Sequence, residues 1–272
     1  MTIHPGVTRT SSGDFHHADW LDFDMLQSGH QIDAEAQGLE EIYTQIAHDY
    51  ALTPPKPVLD GEPMYEDTPD AVWTRRSIDG PRGGAEAMRH KAYSAVFAGA
   101  CGHTYGHNDV YGFHVPAHPG EVVPFSEGPG QRGDWREALA APGAQQMQHL
   151  RALMESRPIL TRRPDQALIV GDAGKGVAHL QATRDAEGSY AMLYLPVAGQ
   201  TVTVDTSHLS AARLKVWWYD PRTGKATAEK GEPQGGEKIT FRAPETGPDW
   251  VLVLDDAARG YPPPGRGTQA AN

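Results

Sequence analysis

Lys56-Pro57-Val58-Leu59-Asp60-Gly61-Glu62 is a short apolar run that turns polar at its end, with Pro54-Pro55 before it and Pro63 after it. It reads as a buried strand bounded by breakers and closed by a carboxylate. Upstream, Ala34, Leu39, Ile42, Ile46 and Ala47 recur at three- and four-residue steps. That spacing predicts an amphipathic helix over 33–50, capped by Asp33 and stopped by the proline pair. Further upstream, Asp22-Phe-Asp-Met-Leu-Gln27-Ser28-Gly29-His30 is a second strand with a polar end. Downstream, a long loop with Tyr65, Glu66, Trp73, Arg75 and Arg76 leads to a helix over 85–98, its inner face formed by Ala85, Met88, Ala92, Ala95 and Val96. Gly99-Ala-Cys-Gly-His-Thr-Tyr-Gly-His-Asn-Asp109 is a third short strand running into polar residues, followed by a Gly/Pro-rich loop over 116–133 and a helix over 135–154. Strands alternating with helices in this order predict α/β architecture with parallel crossover units.

Beyond Pro158 the texture changes. Apolar bursts at 167–170, 177–183, 190–195, 201–204, 214–219, 238–241 and 250–254 are separated by turn signals such as Asp185-Ala-Glu-Gly188 and Asp220-Pro-Arg-Thr-Gly224. Short strands at this density predict a small antiparallel β-sandwich. In Trp217-Trp218-Tyr219, alternation places one ring in the sandwich core and its neighbour on the outer face. The expected division is 1–163 for the α/β part, 164–256 for the sandwich, and a disordered tail over 257–272 around Pro262-Pro-Pro-Gly.

The bulk properties exclude several classes of function. A net charge of −11 argues against a nucleic-acid track or an anionic membrane surface as partner. The single cysteine, Cys101, excludes an internal disulfide framework and a cysteine-built zinc site. No apolar run approaches the roughly 20 residues needed to cross a bilayer. Met1-Thr-Ile-His-Pro-Gly has neither the basic start nor the apolar centre of a signal peptide.

In parallel α/β folds the chemistry sits where strands run into their following loops. Glu62 occupies that place, where it would serve as nucleophile or general acid/base; the plainer reading is a solvated glutamate at a loop entrance. Gly61 would allow close backbone approach to a ligand, and Asp60 and Glu66 are its neighbours in sequence and its rivals for the role. His103 and His107 are four apart, as metal ligands on a helix would be, but Gly102 and Gly106 oppose a helix there and no third ligand completes a zinc pattern. No metal and no cofactor is expected. Gln27 and His30 end one strand, and His103, Tyr105, His107 and Asn108 follow another. Together with aromatics in polar loops (Trp20, Tyr65, Trp73, Tyr105, Tyr111), such groups describe a site for a sugar, whose apolar faces stack on rings while its hydroxyls take hydrogen bonds. Gly171-Asp-Ala-Gly-Lys-Gly176 lacks the spacing of a phosphate loop and reads as a hairpin turn.

The segments 56–66 and 95–109, with Val216-Trp-Trp-Tyr-Asp-Pro-Arg-Thr-Gly224 and Asp249-Trp-Val-Leu-Val-Leu-Asp255 behind them, resemble the apiosidase-like glycoside hydrolases over roughly 1–256. The resemblance implies a TIM-barrel catalytic domain followed by a small β-domain labelled collagen-binding. It aligns Thr2-Ile3-His4-Pro5 with the end of barrel strand five, 22–30 with strand six, 58–62 with strand seven and 100–108 with strand eight. Glu62 then matches the strand-seven catalytic carboxylate. The partner acid, an aspartate near the end of strand four, would fall in a missing N-terminal half of the barrel. What is expected is therefore the C-terminal half of a (β/α)8 barrel plus a sandwich, a glycoside hydrolase or a fragment of one acting on plant-type polysaccharides or glycosides, whose activity alone is left open by the missing second carboxyl group. Gln27, His30, Tyr65, Trp73, His103, Tyr105, His107 and Asn108 would contact the carbohydrate substrate. An exposed half-barrel implies a homo-oligomer or a partner that supplies the other half. The family is largely exported. The alternative is a non-catalytic glycan- or matrix-binding protein whose function lies in the sandwich.

Overall fold

The computed structural model describes residues 1–266. The chain divides into two compact units, one formed by Met1–Val96 and Ala100–Met147, the other by Phe97–Gly99 and the chain from Gln148 onward.

In the first unit a four-stranded sheet has the order β1 (Arg9–Thr10), β2 (Asp24–Gln27), β3 (Val58–Asp60), β4 (Gly102–His103). Strands β2, β3 and β4 are parallel, with Leu26 opposite Asp60 and Asp60 opposite His103. Between them run α1 (Ser12–Phe15), α2 (Ile42–Tyr50), α3 (Val72–Arg75) and α4 (Ala85–Phe97), and after them α5 (Asn108–Tyr111), α6 (Trp135–Ala138) and the start of α7 (Pro142–Glu155), which belongs to the second unit from Gln148 on. Helix α4 is more deeply buried than an amphipathic helix would be. Even Arg89 and Lys91 are covered, and the Lys91 Nζ pairs with the buried Glu41 carboxylate at 3.4 Å.

Three expectations for this unit are corrected. The helix expected over 33–50 is a 3-10 turn at Glu35–Gln37, with Asp33 accepting from the Ala36 N–H at 2.9 Å, followed separately by α2. The helix expected over 135–154 is split into α6 and α7 because Pro142, without an N–H, starts a new helix rather than continuing one. Residues 2–5 form no strand. Met1 and Thr2 do run beside the start of β2, through Asp22 N–H to Met1 O at 2.8 Å and Thr2 Oγ1 to Phe23 O at 2.8 Å. A left-handed turn at Thr8 (φ 57) then sends the chain back as the antiparallel β1.

In the second unit β5 (Arg162–Pro164), β6 (Gln181–Asp185), β7 (Tyr190–Leu195), β9 (Leu214–Asp220), β10 (Lys225–Ala228) and β12 (Trp250–Asp256) form an antiparallel sheet in the order β10-β9-β12-β7-β6-β5. Strands β8 (Thr201–Asp205) and β11 (Lys238–Arg242) pair separately. Alternate residues of the larger sheet, among them Leu193, Val216, Trp218, Leu252 and Leu254, share one core with Val202 and Val204 of β8. The opposite face is buried as well. Trp217 and Trp218 are both buried, where one of the two rings was expected on an outer face: Trp217 donates its Nε1–H to Asp255 Oδ2 at 3.0 Å, and the Tyr219 hydroxyl donates to His149 O, in the part of α7 that belongs to this unit, at 2.8 Å. The 167–170 segment is a 3-10 turn rather than a strand, 177–180 precedes its strand, and 171–176 is a loop rather than a hairpin. The tail expected to be disordered is packed as far as Arg266: Tyr261 hydrogen-bonds Ser189 Oγ at 2.9 Å and its ring lies 4.8 Å from the Arg157 guanidinium carbon. The rest of that expected tail, 267–272, lies outside the described residues.

Gly188 closes the β6–β7 hairpin at φ 73, where a Cβ would meet Ser210 N at 2.8 Å and His208 O at 2.9 Å. Both contacts are backbone and cannot swing away. Gly188→Ala is expected to lower stability by about 2 kcal/mol, measurable as a fall of several degrees in the thermal midpoint.

Candidate active site

Glu62 leaves β3 at the end where the parallel strands open into loops. The Gly61 N–H donates to Leu26 O on β2 at 2.9 Å, and the Thr104 hydroxyl donates to Gly61 O at 2.8 Å from the β4 side. Gly61 is required here, but not for ligand approach: a Cβ would fall 1.8 Å from Met25 Cε, so its space belongs to a side chain of β2.

Two histidines hold the Glu62 carboxylate. His30 Nε2 lies 3.1 Å from Oε1, and His4 Nε2 lies 2.9 Å from Oε2. The backbone N–H of Tyr65 points at His30 Nδ1 at 3.4 Å, so Nδ1 accepts and the ring presents Nε2–H to the carboxylate. The His30 hydrogen bond, the attraction of the His30 and His4 rings and a hydrogen bond from the Tyr65 hydroxyl outweigh burial and hold the Glu62 carboxyl below its usual 4.5. The same neighbourhood pushes the Tyr65 hydroxyl up, through burial first and the adjacent Glu62 charge second. Glu62 is thus an ionised carboxylate at neutral pH, with 19% of its side chain exposed.

It borders a cavity of about 230 Å³, which Gln27, His30, Tyr65, Trp73 and Asn108 also line, five of the eight contact residues expected from sequence. His30 stands edge-on to the Tyr65 ring at 4.7 Å, and Tyr65 meets Tyr111 at 5.9 Å. Gly106 makes room for this ring: a Cβ there would lie 2.2 Å from Tyr65 Cδ1. Asn108 is fixed by donating to Pro129 O at 3.1 Å.

His103, Tyr105 and His107 point elsewhere. Along an extended segment odd and even residues face opposite sides, and these three share the parity opposite to Asn108. His103 sets Nδ1 3.3 Å from the buried Asp60 carboxylate. The Tyr105 hydroxyl donates to Glu66 Oε2 at 2.6 Å, and Glu66 also accepts the Gly143 N–H at 3.1 Å. His107 caps α5, its Nδ1 accepting from Asp109 N at 3.1 Å. Of the rival carboxylates, Asp60 is fully buried and accepts from the Ser28 hydroxyl at 3.2 Å, Glu66 is held by Tyr105 and Gly143, and neither lines the cavity with Glu62. Among the described residues no cluster of three or more His, Cys, Asp or Glu could hold a metal ion, and no helix is long and apolar enough to cross a membrane.

Sequence reasoning did not single out His4 or Thr68. For His4 the signal was present, since its segment was aligned with a strand end. Thr68 gave none: it is 1% exposed, lines the cavity, and its Oγ1 has no hydrogen-bond partner.

The comparisons with known proteins bear on family and fold. Residues 1–161 match the model described as "Apiosidase-like, catalytic domain", and residues 163–255 match the "Putative collagen-binding domain of a collagenase". A solved structure named "Glycoside hydrolase" is 34% identical, with a TM-score of 0.82, over 94% of this chain and 57% of its own. A glycoside hydrolase family 5 protein from Bacteroides vulgatus ATCC 8482 is likewise 34% identical, with a TM-score of 0.82, over 94% of this chain and 54% of its own. The chain thus spans a little over half the length of either structure. No curated protein matches it. The fold is mixed α/β with several antiparallel sheets, and these neighbours support a TIM-barrel-like architecture. A carboxylate at a parallel strand end, a cavity of aromatic and amide groups around it, and a catalytic-domain model matched over most of the chain lead to one statement: the chain belongs to the apiosidase-like family.

Proposed function

We propose that the protein is the C-terminal part of a glycoside hydrolase, the second half of a (β/α)8 barrel with its β-sandwich, and that Glu62 is its nucleophile toward plant-type polysaccharides or glycosides. The observation that carries the reading is the Glu62 carboxylate, kept ionised by His30 and His4 inside a cavity lined by Gln27, Asn108 and three aromatic rings. An ionised carboxylate suits attack on the anomeric carbon better than proton donation. In that step the bond from the anomeric carbon to the leaving-group oxygen breaks as the bond to Glu62 forms, and a second carboxyl group protonates the departing oxygen. Water then cleaves the glycosyl ester.

A retaining pair stands about 5–5.5 Å apart, and Glu62 is the sole carboxylate among the residues lining this cavity. The second acid is therefore assigned to further strand–helix units, on the same polypeptide or on a partner chain. Three parallel strands against the eight of a closed barrel accord with that assignment.

The test isolates the nucleophile. In a 2-deoxy-2-fluoro-glycosyl fluoride the leaving group departs without a proton, so labelling does not depend on the second acid. A panel of pentosyl and hexosyl fluorides is expected to leave one glycosyl adduct, located by mass spectrometry on Glu62. An adduct on another carboxylate, or none across the panel, overturns the assignment. A second reading rests on the match at 163–255, in which the β-domain binds glycan or matrix and the barrel part only scaffolds it. It requires a protein that binds insoluble polysaccharide or collagen and is not labelled.

A further inference from the structure

Trp73 has two faces to account for. The residue lines the Glu62 cavity and is still 42% exposed, so it is no core residue and part of its ring remains open to solvent. Beside it, from a loop some fifty residues later, comes Phe125, meeting the Trp73 ring at 5.8 Å and 64°. The Arg76 guanidinium carbon lies 5.4 Å from the Phe125 ring centroid.

The backbone under this group is costly to hold. Helix α3 carries Trp73 between two left-handed non-glycine residues, Ala71 (φ 54) and Arg76 (φ 52), each costing about 1–2 kcal/mol. It is tied to the site next door: Ala71 N–H donates to His30 O at 2.9 Å, and Asp70 Oδ1 accepts from Ile32 N–H at 2.7 Å. The Phe125 loop is anchored independently, by Val123 N–H to Gln131 O at 2.8 Å. Two strained or looped segments thus set Phe125 and the Arg76 guanidinium beside Trp73, the one of the three that lines the cavity, whose 230 Å³ is small beside ordinary ligand sites of about 300–1,000 Å³. That volume suits one sugar ring. Aromatic faces beside a five-donor fork suit the apolar face and the hydroxyls of another.

We propose that Trp73, Phe125 and Arg76 form a second sugar position adjoining the one at Glu62, so that the substrate is an oligosaccharide or polysaccharide chain rather than one sugar on a small polar aglycone. The proposal rests on the glycosidase reading above.

The test uses the intact chain and a set of plant cell-wall oligosaccharides, each as monomer, dimer and longer homologues, with affinities measured by calorimetry. Wild type is expected to gain roughly tenfold from monomer to longer homologue, about 1.4 kcal/mol. Phe125→Ala and Arg76→Ala should each remove at least two-thirds of that gain, whereas Phe125→Tyr, which keeps the ring, retains it. Melting curves identify any variant that has failed to fold, and the Phe125→Tyr/Phe125→Ala contrast then decides. No gain with length, or a gain undiminished in Phe125→Ala and Arg76→Ala, overturns the platform alone. Absence of binding throughout, or binding insensitive to Tyr65→Ala in the cavity, overturns the sugar site and the platform together.

Discussion

Glu62→Gln is expected to slow the initial burst of phenolate release from 2,4-dinitrophenyl glycosides by about 10⁴-fold while shifting the melting temperature by no more than about a degree. These substrates expel a phenolate that needs no proton, so the burst, unlike the later hydrolysis of the glycosyl ester, reports the nucleophile whether or not the second acid is present. Glutamine keeps the size and planarity of the carboxylate and still accepts the His30 hydrogen bond, now 3.1 Å long, at its carbonyl oxygen. Because Glu62 is partly exposed, no buried charge is orphaned by the change. The acid limb of the rate profile provides a second reading. His30, His4 and Tyr65 lower the Glu62 pKa below 4.5, so the ionised nucleophile persists as pH falls until that lowered value is crossed. His30→Ala removes the first-ranked of these influences and is expected to move the limb upward. Burst rates of phenolate release from pH 3 to 7 check both; equal rates in Glu62→Gln and wild type, or a limb unmoved in His30→Ala, would falsify the assigned role.

Much of this site was legible because it depends on local pattern. A strand of three residues between prolines cannot drift in register, so the sequence placed Glu62 at a strand mouth, and β2 brings Gln27 and His30 to the same cavity in parallel with it. What was not legible depends on side-chain parity and on distant closure. His103, Tyr105 and His107 are neighbours of Asn108 in sequence yet face the other way, towards Asp60 and Glu66. His4 reaches Glu62 across 58 positions, and Phe125 reaches Trp73 across a loop with no periodic signal. In the second unit the strands read correctly include the continuous apolar runs that are buried on both faces, such as β7 and β12. Strands β5 (Arg-Arg-Pro) and β10 (Lys-Ala-Thr-Ala) went unread because they lie at the two edges of the sheet. An edge strand can carry charge and proline, and needs no apolar face to be held by its neighbour.

Arg157→Met is expected to destabilise the second unit by about 3–5 kcal/mol, a fall of roughly 10 °C in its melting transition. The Arg157 and Asp255 side chains are 0% and 2% exposed, and the fork is bidentate: Nε to Oδ1 at 2.8 Å and Nη2 to Oδ2 at 2.6 Å. Arg157 also donates to Ser156 O and lies against the Tyr261 ring, while among the described residues Trp217 Nε1–H gives the Asp255 carboxylate its one other hydrogen bond. Methionine fills the volume but leaves the carboxylate buried with that single donor. The pH dependence has a definite sign. Burial raises the Asp255 pKa even in the wild type, with Arg157 the leading opposing influence, so losing Arg157 raises it further. A carboxyl whose folded pKa is raised contributes stability that is full below the unfolded value of about 3.9 and is lost as pH rises through the folded value. The penalty of Arg157→Met should therefore be larger at pH 7 than at pH 4 and shrink as the buffer is acidified and the orphaned carboxyl takes up its proton. Arg157→Met/Asp255→Leu, which removes both charges, should recover most of the loss at neutral pH, because the cost lies in the unpaired charge and not in the absence of the pair. Denaturant melts of the three proteins at the two pH values decide the matter: a penalty below about 1 kcal/mol, or one that does not change with pH, would mean that water reaches Asp255 and that the pair is not the buried clamp its geometry describes.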